Sequence, residues 1–323
     1  MAEPLETDPS LLAVVLDVNA RAWSGSPLAL EDALQQIIIF LNAYLALKQE
    51  NRLVVLAATK GECRCLYPVD RMRAASLPNI QVYEQFRMAD ASLLSGVQSM
   101  LDGAESEVAD INRGVEEKQS LISRALSMAL CHIHKASEAS KTYKVWSRIL
   151  VLSAADDSPR EYIALMNSIF AAQKLNVLID ICKVFGQDSV FLQQAADITG
   201  GNYLKVSTTN KDSLLQTLMF SCLADHFTRD ILYLPNNELI DFRTTCFCHR
   251  KVVDIGFVCS VCLSIFCKMA PVCSTCHTKF SFKIVRQDSA AQQNDVSQNG
   301  TNGAVKPATN ALSTLSLSPG HGA

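Results

Sequence analysis

Seven of the chain's twelve cysteines crowd into one stretch: Cys246, Cys248, Cys259, Cys262, Cys267, Cys273 and Cys276. Cys259-x2-Cys262 and Cys273-x2-Cys276 have the spacing of metal knuckles, turns that present two thiolates to one ion. Zinc takes four such ligands tetrahedrally, with sulfur at about 2.3 Å, so two knuckles close a site with no open position. Such a site is structural rather than catalytic. The ten residues between the knuckles are fewer than a zinc ribbon uses, which leaves the finger type open. Cys246, Cys248 and Cys267 supply three more sulfurs, and His249 is the adjacent fourth ligand candidate. If the ligand pairs interleave, Cys246, Cys248, His249 and Cys267 form a candidate second zinc site beside Cys259, Cys262, Cys273 and Cys276. Two neighbouring residues on one ion are strained, so either Cys248 or His249 is a candidate to stand behind the ligands instead of among them. His277 reads as a surface residue.

No other chemistry announces itself. The sequence lacks a Gly-x4-Gly-Lys-Ser/Thr loop, a Gly-x-Gly-x-x-Gly turn and a Gly-x-Ser-x-Gly elbow, so no catalytic residue is assigned. His132 and His134 lie two apart on a helix and face apart. The 29 Lys and Arg against 32 Asp and Glu leave −3, which argues against holding the chain on nucleic acid by its overall field. Residues 242–286 carry seven cations against the single anion Asp254; two thiolate-bound zinc ions would bring that stretch to about +3, too weak for a nucleic-acid footprint. Phe247, Phe257, Ile265, Phe266, Phe280 and Phe282 are more apolar bulk than so small a module hides, which points to a partner surface. The residues before Leu11 lack the basic start and apolar run of a secretory signal, so the cysteines read as metal ligands in a reducing compartment. The scattered Cys63, Cys65, Cys131, Cys182 and Cys222 read as small buried hydrophobes. The longest apolar stretch, Ala33–Leu47, carries Gln35, Gln36 and Asn42 and falls short of the ~20 residues of a membrane span.

The elements that position these residues follow from apolar spacing. Leu11–Leu16, Arg52–Thr59, Arg148–Ser153, Asn176–Phe185 and Tyr203–Val206 are short unbroken apolar runs, the pattern of strands covered on both faces. Cys63–Tyr67, after the Lys60-Gly61 turn, is an antiparallel edge strand that Pro68 ends. Helical stripes begin at Leu30 and Leu121, and a further apolar helix spans Leu214–Leu223. Ser158-Pro159-Arg160-Glu161 has the form of a capping box opening a helix that runs to about Lys174. Ser189–Thr199 is a helix stopped by Gly200-Gly201. Asp70 to about Asn112 is expected to be long loops with one short helix. Alternating strands and helices give an α/β fold, five parallel strands and one antiparallel edge strand. The expected organisation is an extension at 1–10, the α/β domain at 11–233, a linker at 234–245, a C4-type zinc module at 246–283 and a disordered tail at 284–323, too poor in large apolar residues to offset ordering entropy.

The strand ending in Asp17, the Rossmann-like alternation and the block CFCHRKVVDIGFVCSVCLSIFCKMAPVCSTC together resemble the family of subunit 3 of general transcription factor IIH. The segments SIFAAQKLNVLIDIC and ADITGGNYLKV carry the same resemblance, which spans about Leu11 to Phe282. It implies a von Willebrand A-like, Rossmann-like, mostly parallel six-stranded sheet followed by a small zinc-binding module. It further implies a nuclear, non-catalytic core subunit acting in RNA polymerase II transcription and nucleotide excision repair. The implied partners are a sister subunit that also has a von Willebrand A domain and zinc fingers, and the other core subunits; the net charge of −3 and the weakly basic module add the expectation of no sequence-specific DNA contact. Von Willebrand A domains often bind Mg²⁺ through Asp-x-Ser-x-Ser, with a Thr and a second Asp on later loops. Here the motif reads Asp17-Val18-Asn19-Ala20-Arg21, and a cation replaces a ligating hydroxyl. Asp156 or Asp157 could stand for the later Asp and Ser120 for the Thr, but the set is incomplete. Asp17 is therefore a degenerate Mg²⁺ position, not expected to bind. Two rivals are a RING-like ubiquitin ligase component, whose spacing Cys246-x-Cys248 and the single Cys267 do not match, and an adhesion-type Mg²⁺-dependent ligand binder, which Arg21 disfavours.

Overall fold

The computed structural model describes residues 9–59, 61–68, 82–108, 121–140, 145–158, 161–206, 213–233, 240, 242–249 and 251–280. Six strands form one sheet: β1 (Ser10–Asp17), β2 (Arg52–Ala58), β3 (Cys63–Tyr67), β4 (Trp146–Ser153), β5 (Leu178–Lys183) and β6 (Tyr203–Lys205). Their order is β3-β2-β1-β4-β5-β6, with β3 antiparallel to β2 and the other pairings parallel. This is the expected von Willebrand A-like, Rossmann-like arrangement. Alternation sends the side chains of each strand to two cores. Leu12, Val14 and Leu16 face α2 (Leu30–Leu47), α3 (Val82–Val108) and α7 (Ser213–Thr217), while Leu11, Ala13 and Val15 face α4 (Ile122–Ala139), α5 (Tyr162–Lys174) and α6 (Val190–Thr199). The short α1 (Ala20–Trp23) follows β1, a π-turn at Leu218–Cys222 continues α7, and α8 is His226–Ile231.

Helix α2 is long and apolar enough to cross a membrane by length and composition. It is nevertheless a core element: Ile37, Phe40, Leu41, Tyr44 and Leu45 are buried against the sheet.

Several sequence expectations are corrected. The region expected as loops holds the 27-residue helix α3, whose Ala89, Leu93, Val97 and Met100 form a buried stripe. Gly96 seats that helix, since a Cβ there would lie 2.6 Å from Leu66 Cδ2 of β3. Residues 69–81 and 109–120 lie outside the described part. The expected capping box does not open α5, which starts at Tyr162 without a side-chain cap. Glu161 instead turns to another helix, its Oε2 accepting from the Ser123 amide of α4 at 3.5 Å; Pro159 and Arg160 lie outside the described residues. Ser189, by contrast, caps α6 by accepting from the Leu192 amide, and Gly200 ends it at φ 75°. Of the scattered cysteines, Cys182 and Cys222 are buried, but Cys131 is exposed, so the reading as buried hydrophobes fails there.

After α8 the architecture changes to two-residue strands: β7 (Thr244–Thr245) pairs with β8 (Val252–Val253), and β9 (Phe257–Val258) with β10 (Ile265–Phe266), both antiparallel. Thr244 and Thr245, expected in a linker, are thus part of a hairpin. A single bridge joins Val272 to Lys279. The segment touches the α/β part where the Gln194 side chain of α6 donates to the Arg243 carbonyl at 3.1 Å. The tail from residue 284 lies outside the described residues.

Candidate metal centres

Three turns in the cysteine-rich segment repeat one design. In each, the first cysteine's amide donates to the carbonyl five residues on: Cys246 to Lys251, Cys259 to Ser264 and Cys273 to Thr278, all at 2.9 Å. Two of them close through a left-handed residue, Leu263 and His277, both at φ 59°. His277 thus has a backbone duty. The tight turn brings the side chains at the first and fourth positions together, which for the second and third turns are the two cysteines of each knuckle. Aligned on that frame, His249 stands in the first turn where Cys262 and Cys276 stand in the others.

The ligand atoms form two groups, each with all members within 4.8 Å of one another: Cys246, Cys248, His249 and Cys267, and Cys259, Cys262, Cys273 and Cys276. In the first, Cys267 Sγ lies 3.2 Å from His249 Nδ1 and 3.5 Å from Cys248 Sγ. In the second, Cys259 and Cys276 sulfurs are 3.7 Å apart and those of Cys262 and Cys273 3.6 Å. The chain visits the groups alternately, because the Phe247 amide donates to the Ile265 carbonyl at 2.8 Å and sets the first turn beside the end of β10, where Cys267 follows. Phe266, Cys259 and Cys273 make a small buried core, with Phe247 and Phe280 packed on it. Phe266, expected among the surplus apolar residues, is only 8% exposed. The surplus lies elsewhere: Ile255, Phe257, Val258, Val261, Leu263, Met269 and Val272 are exposed. Phe282 lies outside the described residues.

The thiols in each group press on one another's ionisation. The Ser264 hydroxyl, 3.1 Å from Cys262 Sγ, and the Ser264 amide pull the Cys262 thiol down to about 6. Burial works upward on Cys246, but the amides of Lys251 and His249 outweigh it and hold that thiol near 6. Thr278 lowers Cys276 in the same way. Cys267 is raised, chiefly by the neighbouring Cys248 sulfur. Groups of this composition cannot all be thiolates without a cation among them, and each group could hold a metal ion. The sequence signal of these hydroxyls is Cys-x2-Cys-x-Ser/Thr, which occurs at both knuckles.

The carboxyl end of the main sheet was the other candidate. Asp17 is buried: its Oδ2 accepts from the amides of Ala154 at 3.2 Å and Ala155 at 2.7 Å, and its Oδ1 from the Asn19 amide at 3.3 Å. Asn19 caps α1 by accepting from the Arg21 amide, and Arg21 is exposed. Asp156 is exposed, whereas Asp157 holds the start of α6, accepting from the Ser189 hydroxyl and, at 3.2 Å, from the Phe191 amide. Ser120 lies outside the described residues. His132 and His134 project from α4 and join neither thiol group.

Residues 9–277 match the family model described as transcription factor Tfb4. The chain is 41% identical to the Schizosaccharomyces pombe protein named general transcription and DNA repair factor IIH subunit tfb4, over 87% of this chain and 92% of that one. It is 38% identical to the Arabidopsis thaliana subunit TFB4 of the same factor, over 84% and 89%. The crystal structure of the N-terminal domain of TFIIH p34 superposes with a TM-score of 0.54 at 31% identity, covering 67% of this chain and 98% of that one.

Proposed function

Since the chain belongs to the transcription factor Tfb4 family, we propose that it is a non-catalytic scaffolding core subunit of general transcription factor IIH, serving RNA polymerase II transcription initiation and nucleotide excision repair in the nucleus. Its work is protein contact. The observation that carries this reading is the apolar surface of the cysteine-rich segment, where Ile255 is 83%, Leu263 69% and Val261 65% exposed. A segment of two-residue strands leaves such side chains on water only where a partner is to cover them.

The segment's own stability then comes from metal. The donor sets, four sulfurs in one group and three sulfurs with an imidazole in the other, fit zinc, which takes both ligand types in closed four-coordinate sites. Cys259, Cys262, Cys273 and Cys276 would hold one ion, and Cys246, Cys248, His249 and Cys267 the second. Zinc there neutralises the crowded thiolates and ties the hairpins together; it takes no part in a reaction. Asp17 serves the backbone of the β4–α5 connection and binds no Mg²⁺. The proposed functional division keeps the α/β domain to 233 and the zinc module to 283, but starts the first at Ser10 with β1 and the second at Thr244, where the first hairpin begins, with 1–9, 234–243 and 284–323 as extension, linker and tail.

The partner surface is offered to a sister von Willebrand A and zinc-finger subunit and to other core subunits, not to DNA sequence. The test is a pair of titrations of the zinc-loaded chain at physiological salt, one with the sister subunit and one with duplex DNA. The sister subunit should bind tightly, and Ile255→Ser with Val261→Ser should weaken that complex about tenfold or more with both zinc ions retained, an apolar loss worth over 1.4 kcal/mol. Salt should matter little, since an apolar interface releases few counterions. Sub-micromolar, sequence-selective DNA binding by the lone chain would overturn the reading. So would a complex indifferent to both substitutions, and autoubiquitination activity would point to a RING-like ligase component instead.

A further inference from the structure

The two thiol groups have the same number of donors but not the same cover. Three turns with the same amide-to-carbonyl closure feed them, and the position within the turn decides what a residue meets. The first residue of each turn is buried: Cys246, Cys259 and Cys273. The third is exposed in all three: Cys248, Val261 and Thr275. In the two Cys-x2-Cys knuckles that outward place carries no ligand. In the first turn it carries Cys248, so this group takes one of its sulfurs from the side that faces water.

The second group draws its sulfurs from protected places. Cys259 and Cys273 are each 1% exposed and lie in the small core with Phe266. Cys262 and Cys276 are half-buried, and each sulfur has a hydroxyl 3.1 Å away, from Ser264 and Thr278. A donated hydrogen bond draws electron density from a thiolate and blunts its attack on an electrophile. The exposed Cys248 Sγ instead faces another sulfur, Cys267 Sγ, at 3.5 Å, and His249 Nδ1 stands 3.2 Å from that same Cys267 atom. A solvent-accessible thiolate with a second thiolate within reach is the arrangement that a reversible oxidation requires.

We propose, on the reading that both groups hold zinc, that the first group is a redox release site: a peroxide joins Cys248 to Cys267 and frees that group's ion, while the second group keeps its own. The Cys248 thiolate attacks one peroxide oxygen; an S–O bond forms, the O–O bond breaks and hydroxide leaves, giving the sulfenic acid. The Cys267 thiolate then attacks the Cys248 sulfur; the S–S bond forms, the S–O bond breaks and a second hydroxide leaves. Two electrons pass from the sulfurs to the peroxide, so two thiolates and one hydrogen peroxide become one disulfide and two hydroxide ions. The group has then lost two of its four donors and lets go of its ion. The hydrogen bond from the Phe247 amide to the Ile265 carbonyl involves no sulfur and keeps the turn beside β10, which leaves the site ready to reload once the disulfide is reduced.

The test uses the full zinc-loaded chain with Cys131→Ser, which removes the other exposed thiol among the described residues, and hydrogen peroxide as the oxidant. Native mass spectrometry counts the zinc, and chymotryptic mapping, which parts Cys246 from Cys248 at Phe247, places the disulfide. Starting from two zinc ions, the first should leave about tenfold or more faster than the second, the lower end of what supporting groups around a ligand contribute. The one-zinc species should carry the Cys248–Cys267 linkage with Cys259, Cys262, Cys273 and Cys276 unoxidised, and dithiothreitol with added zinc should restore the two-zinc mass. Cys248→His, which keeps a nitrogen donor there without an oxidisable sulfur, should slow the fast release to the rate of the second ion; should that variant take up only one ion, the mapping of the parent chain decides. A chain that starts with fewer than two zinc ions defeats the zinc reading of these groups and the proposal with it. A two-zinc chain that loses both ions together, loses the second group's ion first, or yields a one-zinc form without that linkage overturns the proposal alone.

Discussion

Asp180 offers the sharpest test of what fastens the end of the α/β part to its sheet. It lies on β5, 2% exposed, between two arginines that are themselves almost buried. Its carboxylate takes both Nη atoms of Arg229, with Nη1 to Oδ1 at 2.8 Å, and the Asn202 amide at 3.1 Å. Arg148 Nη1 stands 3.9 Å away and spends its donors on the carbonyls of Ala224 at 2.8 Å and Leu223 at 3.3 Å, which locks the chain ahead of α8 against the sheet. Asp180→Ala removes the one carboxylate that balances two desolvated guanidiniums and strands the Asn202 amide. Breaking a buried pair in this way costs about 3–5 kcal/mol, set against a total stability of roughly 5–15 kcal/mol. Replacing the closer ion pair as a unit, with Asp180→Leu and Arg229→Met, should cost less than the two single losses together, because only the more distant Arg148, held by the Leu223 and Ala224 carbonyls, is then left without its carboxylate. Urea unfolding at pH 7, followed by far-ultraviolet circular dichroism with zinc present, measures both. A loss below about 1 kcal/mol for Asp180→Ala would refute the reasoning, since that is the range of an exposed pair.

Two further outcomes follow from the geometry. Gly201→Ala should cost about 3 kcal/mol, the upper range of overpacking, because its Cβ would fall 2.1 Å from the Ile179 carbonyl oxygen and backbone cannot step aside; a thermal midpoint unchanged from the wild type would contradict this. Cys262→Ser should reduce the zinc count from two to one by elemental analysis and unfold its half of the cysteine-rich segment, since structural zinc supplies folding free energy of order 10 kcal/mol. Acid should release the metal: Cys246 and Cys262, held near 6 when folded against an ordinary thiol value of 9, add stability that is complete above about pH 9 and lost as pH falls through about 6. Zinc retained at pH 5 but shed on raising pH to 9 would contradict that assignment.

The sequence was most legible where one force decides the outcome. Strands such as Leu11–Leu16 and Arg148–Ser153 must be covered on both faces, and a continuous apolar run says so without help from the rest of the chain. The Cys-x2-Cys knuckles are legible for a similar reason, since two thiolates three residues apart have few other uses. Helix α3 was hidden because Gly96 and Gly103 signal breaks, whereas Gly96 is there for close approach to Leu66, a contact that exists only in three dimensions. Ser158 to Glu161 misled for the complementary reason: the local pattern was valid, but the tertiary partner of Glu161 was the first turn of α4. Lys183 was invisible in the run NVLIDICKVF because a strand end is ordinarily a place where a lysine reaches water. Its burial goes with the Ala155 carbonyl that takes its ammonium, which reaches it from the connection after β4, and no short window along the chain contains both. His249 falls between these cases. The frame Cys-x2-His was in the sequence, but only the repeated amide-to-carbonyl closure of three turns puts the imidazole in the place of a second cysteine and Cys248 inside the turn beside it. Local pattern thus yields the elements and the knuckles, and what it misses is the class of residue whose partner comes from another part of the fold.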